Sequence, residues 1–250
     1  MRTSVTRLLD IYYPVGSDGV RFRDGTAPFY GWLLAHVDNH STVLNVGAGP
    51  TPPESQRHMR GRVGRLVGVD PDPVVLTNSD LDEAYVNDGV ILPFADGVFD
   101  AVFSDWTLEH VSAPAAFLSE VHRVLRPGGF FWFRTPNRWH YVSLLAAITP
   151  HWVHGKIANR ARALGDDAHE PWPTLYRLND NHRLRYLLST AGYDAVEIRR
   201  IESYPSYLVF HPLAFQLGVR YERLVNRFAM LSRLRHTMIG RARRPSQTMS

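Results

Sequence analysis

From Ser41 onward the chain alternates short β-branched or aromatic runs with helix-like stretches, and this alternation constrains the fold more than any other feature. Strands are expected over 42–46, 65–69, 83–86, 100–104, 130–134, 195–202 and 237–241. Helices are expected over 52–61, 73–78, 114–125 and 179–190, with Gly192 just past the last as a C-cap signal. The pattern implies an α/β chain built on a doubly wound, seven-stranded sheet with helices on both faces. Three segments stand outside it: 1–40, 137–178 and 203–236. The middle one leaves a strand at its carboxyl end, the edge where open α/β sheets bind ligands. It carries Trp139, His140, Tyr141, Trp152, His154, Trp172 and Tyr176.

With 44% apolar and 21% charged residues and no low-complexity stretch, the 250-residue chain reads as neither disordered nor a solenoid. Zero cysteines exclude a disulfide framework, a thiolate zinc site and a cysteine nucleophile. The positive charge is almost all arginine, since Lys156 is the only lysine. Residues 201–250 hold eight Arg against Glu202 and Glu222, a net of +6 within a total of +4, so the first 200 residues sum to −2. Such a segment suits nucleic acid, a membrane surface or a phosphorylated acceptor, or is a solvated helix face. Residues 1–10 have no apolar run of signal-peptide length, and the longest apolar runs, 142–148 and 130–133, fall far short of the ~20 residues of a spanning helix. A cytoplasmic protein without a membrane span is therefore expected.

The chemistry sits in two blocks. Val43-Leu44-Asn45-Val46-Gly47-Ala48-Gly49-Pro50 is a hydrophobic strand opening into a glycine loop, and Asp70 ends the next strand. Glycines let a ligand approach the backbone, and a carboxylate at the second strand's tip can accept both hydroxyls of a ribose. Pro52 stands where a dinucleotide fingerprint wants its third glycine, which disfavours a nicotinamide cofactor. The second block runs from Asn87-Asp88-Gly89-Val90 through Pro93, Phe94, Asp96, Phe99 and Asp100 to Ser104-Asp105-Trp106-Thr107-Leu108-Glu109-His110-Val111, with Leu125-Arg126-Pro127-Gly128-Gly129 before a strand.

Over about 42–137 the chain resembles the class I S-adenosylmethionine-dependent methyltransferases, particularly the small-molecule type similar to ubiquinone and menaquinone biosynthesis methyltransferases. The resemblance implies a Rossmann-like fold with inserted lid segments, and S-adenosylmethionine as cofactor with S-adenosylhomocysteine as product. It implies that Gly47, Ala48 and Gly49 lie under the methionine part, that Asp70 binds the ribose with Pro71 beside the adenine, and that Asp88, Gly89 and Val90 read the adenine edge. Ser104 and Trp106 would flank the sulfonium. Asn45 replaces the family's usual acidic residue, yet can order the loop and accept from an amino group, and Thr51 replaces a frequent third glycine. A single methyltransferase domain over 1–250 is expected, with an N-terminal cap (1–40), a cofactor-binding core (41–137), an acceptor lid (138–178) and a C-terminal part (179–250). That last part includes an amphipathic helix over 212–235, marked by Leu217, Tyr221, Leu224, Phe228 and Leu231.

His110, after the fourth strand, is the candidate general base, because a neutral imidazole can take a hydroxyl proton near neutral pH; the competing reading is a capping histidine, and Glu109 is the poorer candidate. Tyr13, Trp139, His140, Tyr141 and Tyr176 are candidate acceptor contacts, while Arg21 or Arg23 could hold the cofactor carboxylate. His151 and His154 lack the companions of a metal site, so no metal is expected. The expected reaction is methyl transfer to an oxygen of a small molecule, whether metabolite, natural product or saccharide. N- or C-methylation, a nucleic-acid-directed enzyme using the basic C-terminal segment, and a non-catalytic partner protein are the alternatives. Nucleic acid is disfavoured because Ser104-Asp105-Trp106-Thr107 lacks the Pro-Pro-aromatic turn of base amino methylation; a homodimer is compatible with the apolar helix stripe.

Overall fold

The computed structural model describes residues 4–15, 25–53, 55–148 and 172–246. Seven strands run β1 (Thr42–Val46), β2 (Arg65–Asp70), β3 (Glu83–Val86), β4 (Phe99–Asp105), β5 (Leu125–Pro136), β6 (Asp194–Ile201) and β7 (Thr237–Arg243). They form one sheet in the order β3-β2-β1-β4-β5-β7-β6. The β3-β2-β1-β4-β5 ladder is parallel. Strand β7 runs against β5: Gly128 and Gly129 exchange backbone bonds with Arg244, and the Asn137 N–H reaches the His236 carbonyl at the other end. Beside the strands are α1 (Ser4–Tyr12), α2 (Thr26–Leu34), α3 (Pro114–Val124), α4 (Tyr141–Ile148), α5 (Asn181–Thr190) and α6 (Pro212–Arg227).

The chain divides into two compact units. The sheet unit comprises Thr26–Pro136, Thr174–Arg199 and Met238–Ser250; the helical unit comprises Met1–Gly25, Asn137–Pro173 and Arg200–Thr237. In the sheet unit, alternate strand residues Leu44, Val46, Val67, Val69, Val102, Phe131 and Phe133 pack with Leu118 and Val121 of α3 and Leu184 and Leu188 of α5. The opposite face takes α2, whose Tyr30 meets Phe103 edge-on at 6.1 Å and whose Trp32 meets Trp132 at 5.1 Å. Each large apolar side chain so enclosed contributes roughly 1.5–3 kcal/mol. The runs of β1, β2 and β4 therefore become strands buried on both faces, while the edge strands β3 and β6 stay partly exposed.

Several expected elements are corrected. The helix expected over 52–61 is only a 3-10 turn at Ser55–Arg57. Pro52 and Pro53 supply no donors, and the N–H groups of Met59 and Arg60 go to the Asp80 carboxylate instead of to helix carbonyls. Residues 73–78 likewise form a 3-10 turn, Pro73–Thr77, capped by Asp72. The helix expected over 212–235 ends at Arg227, because Phe228 is extended (φ −109°, ψ 117°), and a 3-10 turn covers Ala229–Leu234. Strand β5 begins five residues before the expected 130, since its Arg-Pro-Gly-Gly stretch is held by the backbone bonds to Arg244. Arg21, Arg23, His151, Trp152, His154 and most of the expected lid lie outside the described residues.

Candidate active site

The carboxyl ends of β1 to β4 carry the polar residues. Past β1 the chain turns through Gly47 (φ 78°) and Gly49 (φ 53°), left-handed conformations that favour glycine. A Cβ on Gly47 would stand 2.1 Å from Thr107 Oγ1, whereas one on Gly49 would meet nothing within 4 Å. The first glycine is thus fixed by packing and the second faces open space. Gly47 and Ala48 donate their N–H groups to the Val69 carbonyl at 2.9 and 3.1 Å. From below, the Asn78 amide donates to the Gly49 carbonyl at 3.0 Å.

Asp70 ties this loop to the end of β2. Its Oδ2 accepts the Gly49 N–H at 2.9 Å and its Oδ1 the Asp72 N–H at 2.8 Å. Each carboxylate oxygen retains a further lone pair for a ligand hydroxyl. The 87–91 turn hangs from the same place, with the Asn87 N–H on the Asp70 carbonyl at 3.0 Å. There Asn87 accepts from Gly89, and Asp88 from Val90, at 2.8 and 3.0 Å. Asp88 and Val90 are exposed, and a Cβ on Gly89 would find open space. The structure thus brings Gly49, Asp70 and the Asp88 turn to one sheet edge, as the sequence spacing predicts. On β1, the buried Oδ1 of Asn45 has no hydrogen-bond partner among the described residues, and neither has the fully buried Ser104 Oγ on β4.

Beyond β4 two buried carboxyl groups differ. Asp105 is gripped by Arg134 on β5, Nε to Oδ1 and Nη2 to Oδ2 at 2.8 Å, and its Oδ2 also accepts the Tyr30 hydroxyl at 2.9 Å. Arg134 further donates to Thr26 and lies 5.3 Å from the Trp106 ring centroid. Trp106 takes a positive φ of 58° and is held by its N–H on the Arg134 carbonyl at 2.9 Å. The indole is therefore positioned by a guanidinium, a contact that no local spacing announces.

Glu109 is 5% exposed, and burial pushes its carboxyl up to about 7. Thr135 donates to its Oε2 at 3.1 Å, and Asn179 donates to Thr135 in turn at 2.6 Å. Its backbone carbonyl accepts the N–H groups of Leu175 and Tyr176 at 2.7 and 3.2 Å. His110, half-buried, places Nε2 4.0 Å from Glu109 Oε1. The two candidates read from the sequence are thus adjacent, and burial changes the acidity of Glu109, the poorer of them there.

Tyr176 (φ 51°) belongs to the sheet unit, whereas Tyr13, Trp139, His140 and Tyr141 belong to the helical unit. There His140 is 2% exposed, with Nε2 3.4 Å from Glu202 Oε1. Burial lowers His140 to about 3 and raises Glu202 to about 7. Glu202 Oε2 accepts the His236 N–H at 2.9 Å, and the His236 ring centroid is 4.7 Å from that of His140. Tyr141 packs edge-on against Tyr221, whose hydroxyl donates to the Leu234 carbonyl at 2.6 Å. Glu202 and His236 are the partners that sequence spacing did not single out, while Tyr221, read there as part of a helix stripe, packs on Tyr141.

Residues 44–133 match the family model described as a methyltransferase domain. Residues 44–133 thus carry a methyltransferase domain, set in a seven-stranded sheet of the Rossmann-like fold of S-adenosylmethionine-dependent methyltransferases. An uncharacterized methyltransferase of Mycobacterium sp. (strain JLS) is 41% identical over 92 residues, covering 35% of this chain and 36% of the relative. The match thus spans little more than a third of that relative's length. A ubiquinone biosynthesis O-methyltransferase of Chromobacterium violaceum is 26% identical over 200 residues, covering 64% of this chain and 84% of that protein. The fold is that of an S-adenosylmethionine-dependent methyltransferase from Archaeoglobus fulgidus, with a TM-score of 0.57 at 14% identity, covering 96% of this chain and 100% of that one. Among the described residues no helix is long and apolar enough to cross a membrane.

Proposed function

We propose that the chain transfers a methyl group from S-adenosylmethionine to a hydroxyl oxygen of a small-molecule acceptor. The observation that carries this reading is the Glu109–His110 pair just past β4, a buried carboxyl beside a half-buried imidazole. The O-methyltransferase name of the Chromobacterium relative supports oxygen as the accepting atom.

The residues of the sheet edge fit the cofactor. The orphaned Asn45 Oδ1 calls for a donor such as an ammonium group, and the open spaces over Gly49 and Gly89 admit a ligand against the backbone. Asn45, Gly47, Ala48 and Gly49 would hold the methionine part, Asp70 and Pro71 the ribose and adenine, and Asp88, Gly89 and Val90 the adenine edge. Ser104 and Trp106 would line the reacting end. When bound, S-adenosylmethionine supplies an electrophilic methyl group. His110 takes the hydroxyl proton at Nε2 as the oxygen attacks, and Glu109 stabilises the imidazolium that results, a contribution of ~10²- to 10⁴-fold. Tyr176 is the acceptor contact within the sheet unit. Tyr13, Trp139, His140 and Tyr141 enter the proposal on their chemistry, as aromatic faces and a neutral imidazole.

Two substitutions test this reading. Asp70→Ala should weaken S-adenosylmethionine binding by about 1.5–3 kcal/mol per charge-assisted bond lost, read by calorimetry; unchanged affinity would remove the cofactor site. His110→Ala, assayed with labelled S-adenosylmethionine over a panel of hydroxyl acceptors, should lower turnover by ~10²-fold with cofactor affinity nearly unchanged. A loss under about tenfold would overturn the proton-transfer role and leave positioning as the source of rate.

A further inference from the structure

Helix α6 of the helical unit has two apolar faces, and packing accounts for one. Phe215, Gly218, Val219 and Val225 are buried, and a Cβ on Gly218 would stand 2.5 Å from Pro205. On the other side Leu213, Leu217 and Leu224 are 65%, 63% and 49% exposed. At 3.6 residues per turn these three leucines fall in a sector of about 40°, nearly opposite the buried face. Phe210 precedes the stripe, and Phe228 and Met230 follow it, all of them exposed. Leucine stripes on a helix are ordinarily covered, and none of the described residues covers this one.

Charge decides what covers it. Arg220 and Arg227 are exposed and lie ~40–60° to one side of the leucines. Arg223 reaches over the Tyr12 ring at 5.1 Å, Arg227 extends over Phe228 at 5.9 Å, and exposed Arg233 follows in the next turn. The only acid of α6, Glu222, lies toward the buried side, where it accepts from the Tyr13 hydroxyl at 3.0 Å and from the Asn226 amide at 2.8 Å. From 210 to 235 five arginines stand against this one acid, a net of +4. A stripe of leucine and phenylalanine with an arginine edge matches the boundary between acyl chains and anionic headgroups. A second copy packed antiparallel about a two-fold axis would bring arginine edge to arginine edge. A nucleic acid would answer the arginines but leave the aliphatic leucines without a partner.

We propose that the exposed Leu213–Leu217–Leu224 stripe of α6, edged by Arg220 and Arg227, docks the protein on the surface of an anionic lipid bilayer. The helix lies in the plane of the interface, its leucines among the upper acyl segments and its guanidinium groups on lipid phosphates. This is peripheral attachment and requires no spanning helix. It is independent of the methyl acceptor.

The test is flotation of the full chain with vesicles of about one-third phosphatidylglycerol in phosphatidylcholine, against vesicles of phosphatidylcholine alone. Wild-type protein should float with the anionic vesicles and be released as salt is raised, with binding to neutral vesicles weaker by about tenfold or more. The triple variant Leu213→Gln, Leu217→Gln, Leu224→Gln should lose at least about tenfold in partitioning, and Arg220→Glu with Arg227→Glu on the order of fivefold or more per residue. Circular dichroism and thermal midpoints establish that each variant is folded; should the triple variant fail, Leu217→Gln alone and the charge variant carry the test. No flotation of wild type, equal flotation with both vesicle types, or variants that bind as wild type does would each overturn the proposal. So would a wild-type dimer in sedimentation velocity that the leucine substitutions dissociate, since the stripe would then belong to a second copy.

Discussion

In the sheet unit the buried carboxylate of Asp105 meets the forked guanidinium of Arg134 and the Tyr30 hydroxyl, whereas in the helical unit Glu202 is buried beside the imidazoles of His140 and His236. The first arrangement answers a negative charge with a fixed positive one. In the second, burial suppresses charge on both sides, raising Glu202 to about 7 and lowering His140 to about 3. Glu109 shows that the distinction concerns partners and not units, since only four residues beyond Asp105 its carboxyl too is pushed up to about 7 by burial. Desolvation is common to all three sites, and the nearby guanidinium distinguishes Asp105. The paired site suits a scaffold that must stay put. Glu109 and Glu202, raised to about 7, can exchange a proton near neutral pH, whereas His140, lowered to about 3, stays unprotonated there.

One substitution breaks the paired site. Arg134→Met, which keeps apolar bulk but removes the forked guanidinium, leaves Asp105 buried with only Arg57 Nε, 3.4 Å from its Oδ2, as a cation and should cost up to about 3–5 kcal/mol in chemical denaturation. Trp106 would lose its guanidinium neighbour at the same time, so its fluorescence should change in the folded state.

The neutral sites are sharpened by pH. A carboxyl group whose folded value is raised from 4.5 to about 7 binds its proton more tightly folded than unfolded. Its stabilising contribution is therefore full below pH 4.5 and is lost as pH rises to about 7. Each such group lowers stability by up to ~1.4 kcal/mol per pH unit inside that window. Replacing Glu109 and Glu202 together by Gln should flatten this fall, read from unfolding curves collected across the window. An unchanged slope would mean that neither carboxyl holds its proton.

A single group of opposite sign gives the shallower slope. His140, lowered from 6.5 to about 3, contributes stability that is present above pH 6.5 and lost as pH falls toward 3. His140→Phe should remove that acid-side loss, by up to ~1.4 kcal/mol per pH unit, while leaving the Glu109 window intact. Loss of both slopes in this variant would show a general loosening rather than the removal of one proton site.

The sheet and its ligand edge were legible in the sequence because their signals are local. β-branched runs mark strands, glycines mark the loop at Gly47 and Gly49, and Asp70 lies at a spacing set by one strand–turn–strand unit. The turns after β1 and β2 were misread as helices because helical spacing does not reveal that Asp80 will take the N–H groups of Met59 and Arg60. The same limit hid the proton chemistry of Glu109. Its sequence neighbours show a carboxylate beside a histidine, while its burial is a matter of tertiary packing, which also sets Thr135, and behind it Asn179, against it from 26 and 70 positions away.

What the sequence by itself determined is therefore the set of strands, the glycine loop and the acidic tip of β2, features written in neighbouring residues and strand periodicity. Only the tertiary structure decided which buried acid meets a cation. Arg134 reaches Asp105 across 29 positions and Thr26 across 108, and His140 lies 62 positions from Glu202. Charge compensation and desolvation act through space over a few ångströms, and only the folded chain brings such distant positions that close.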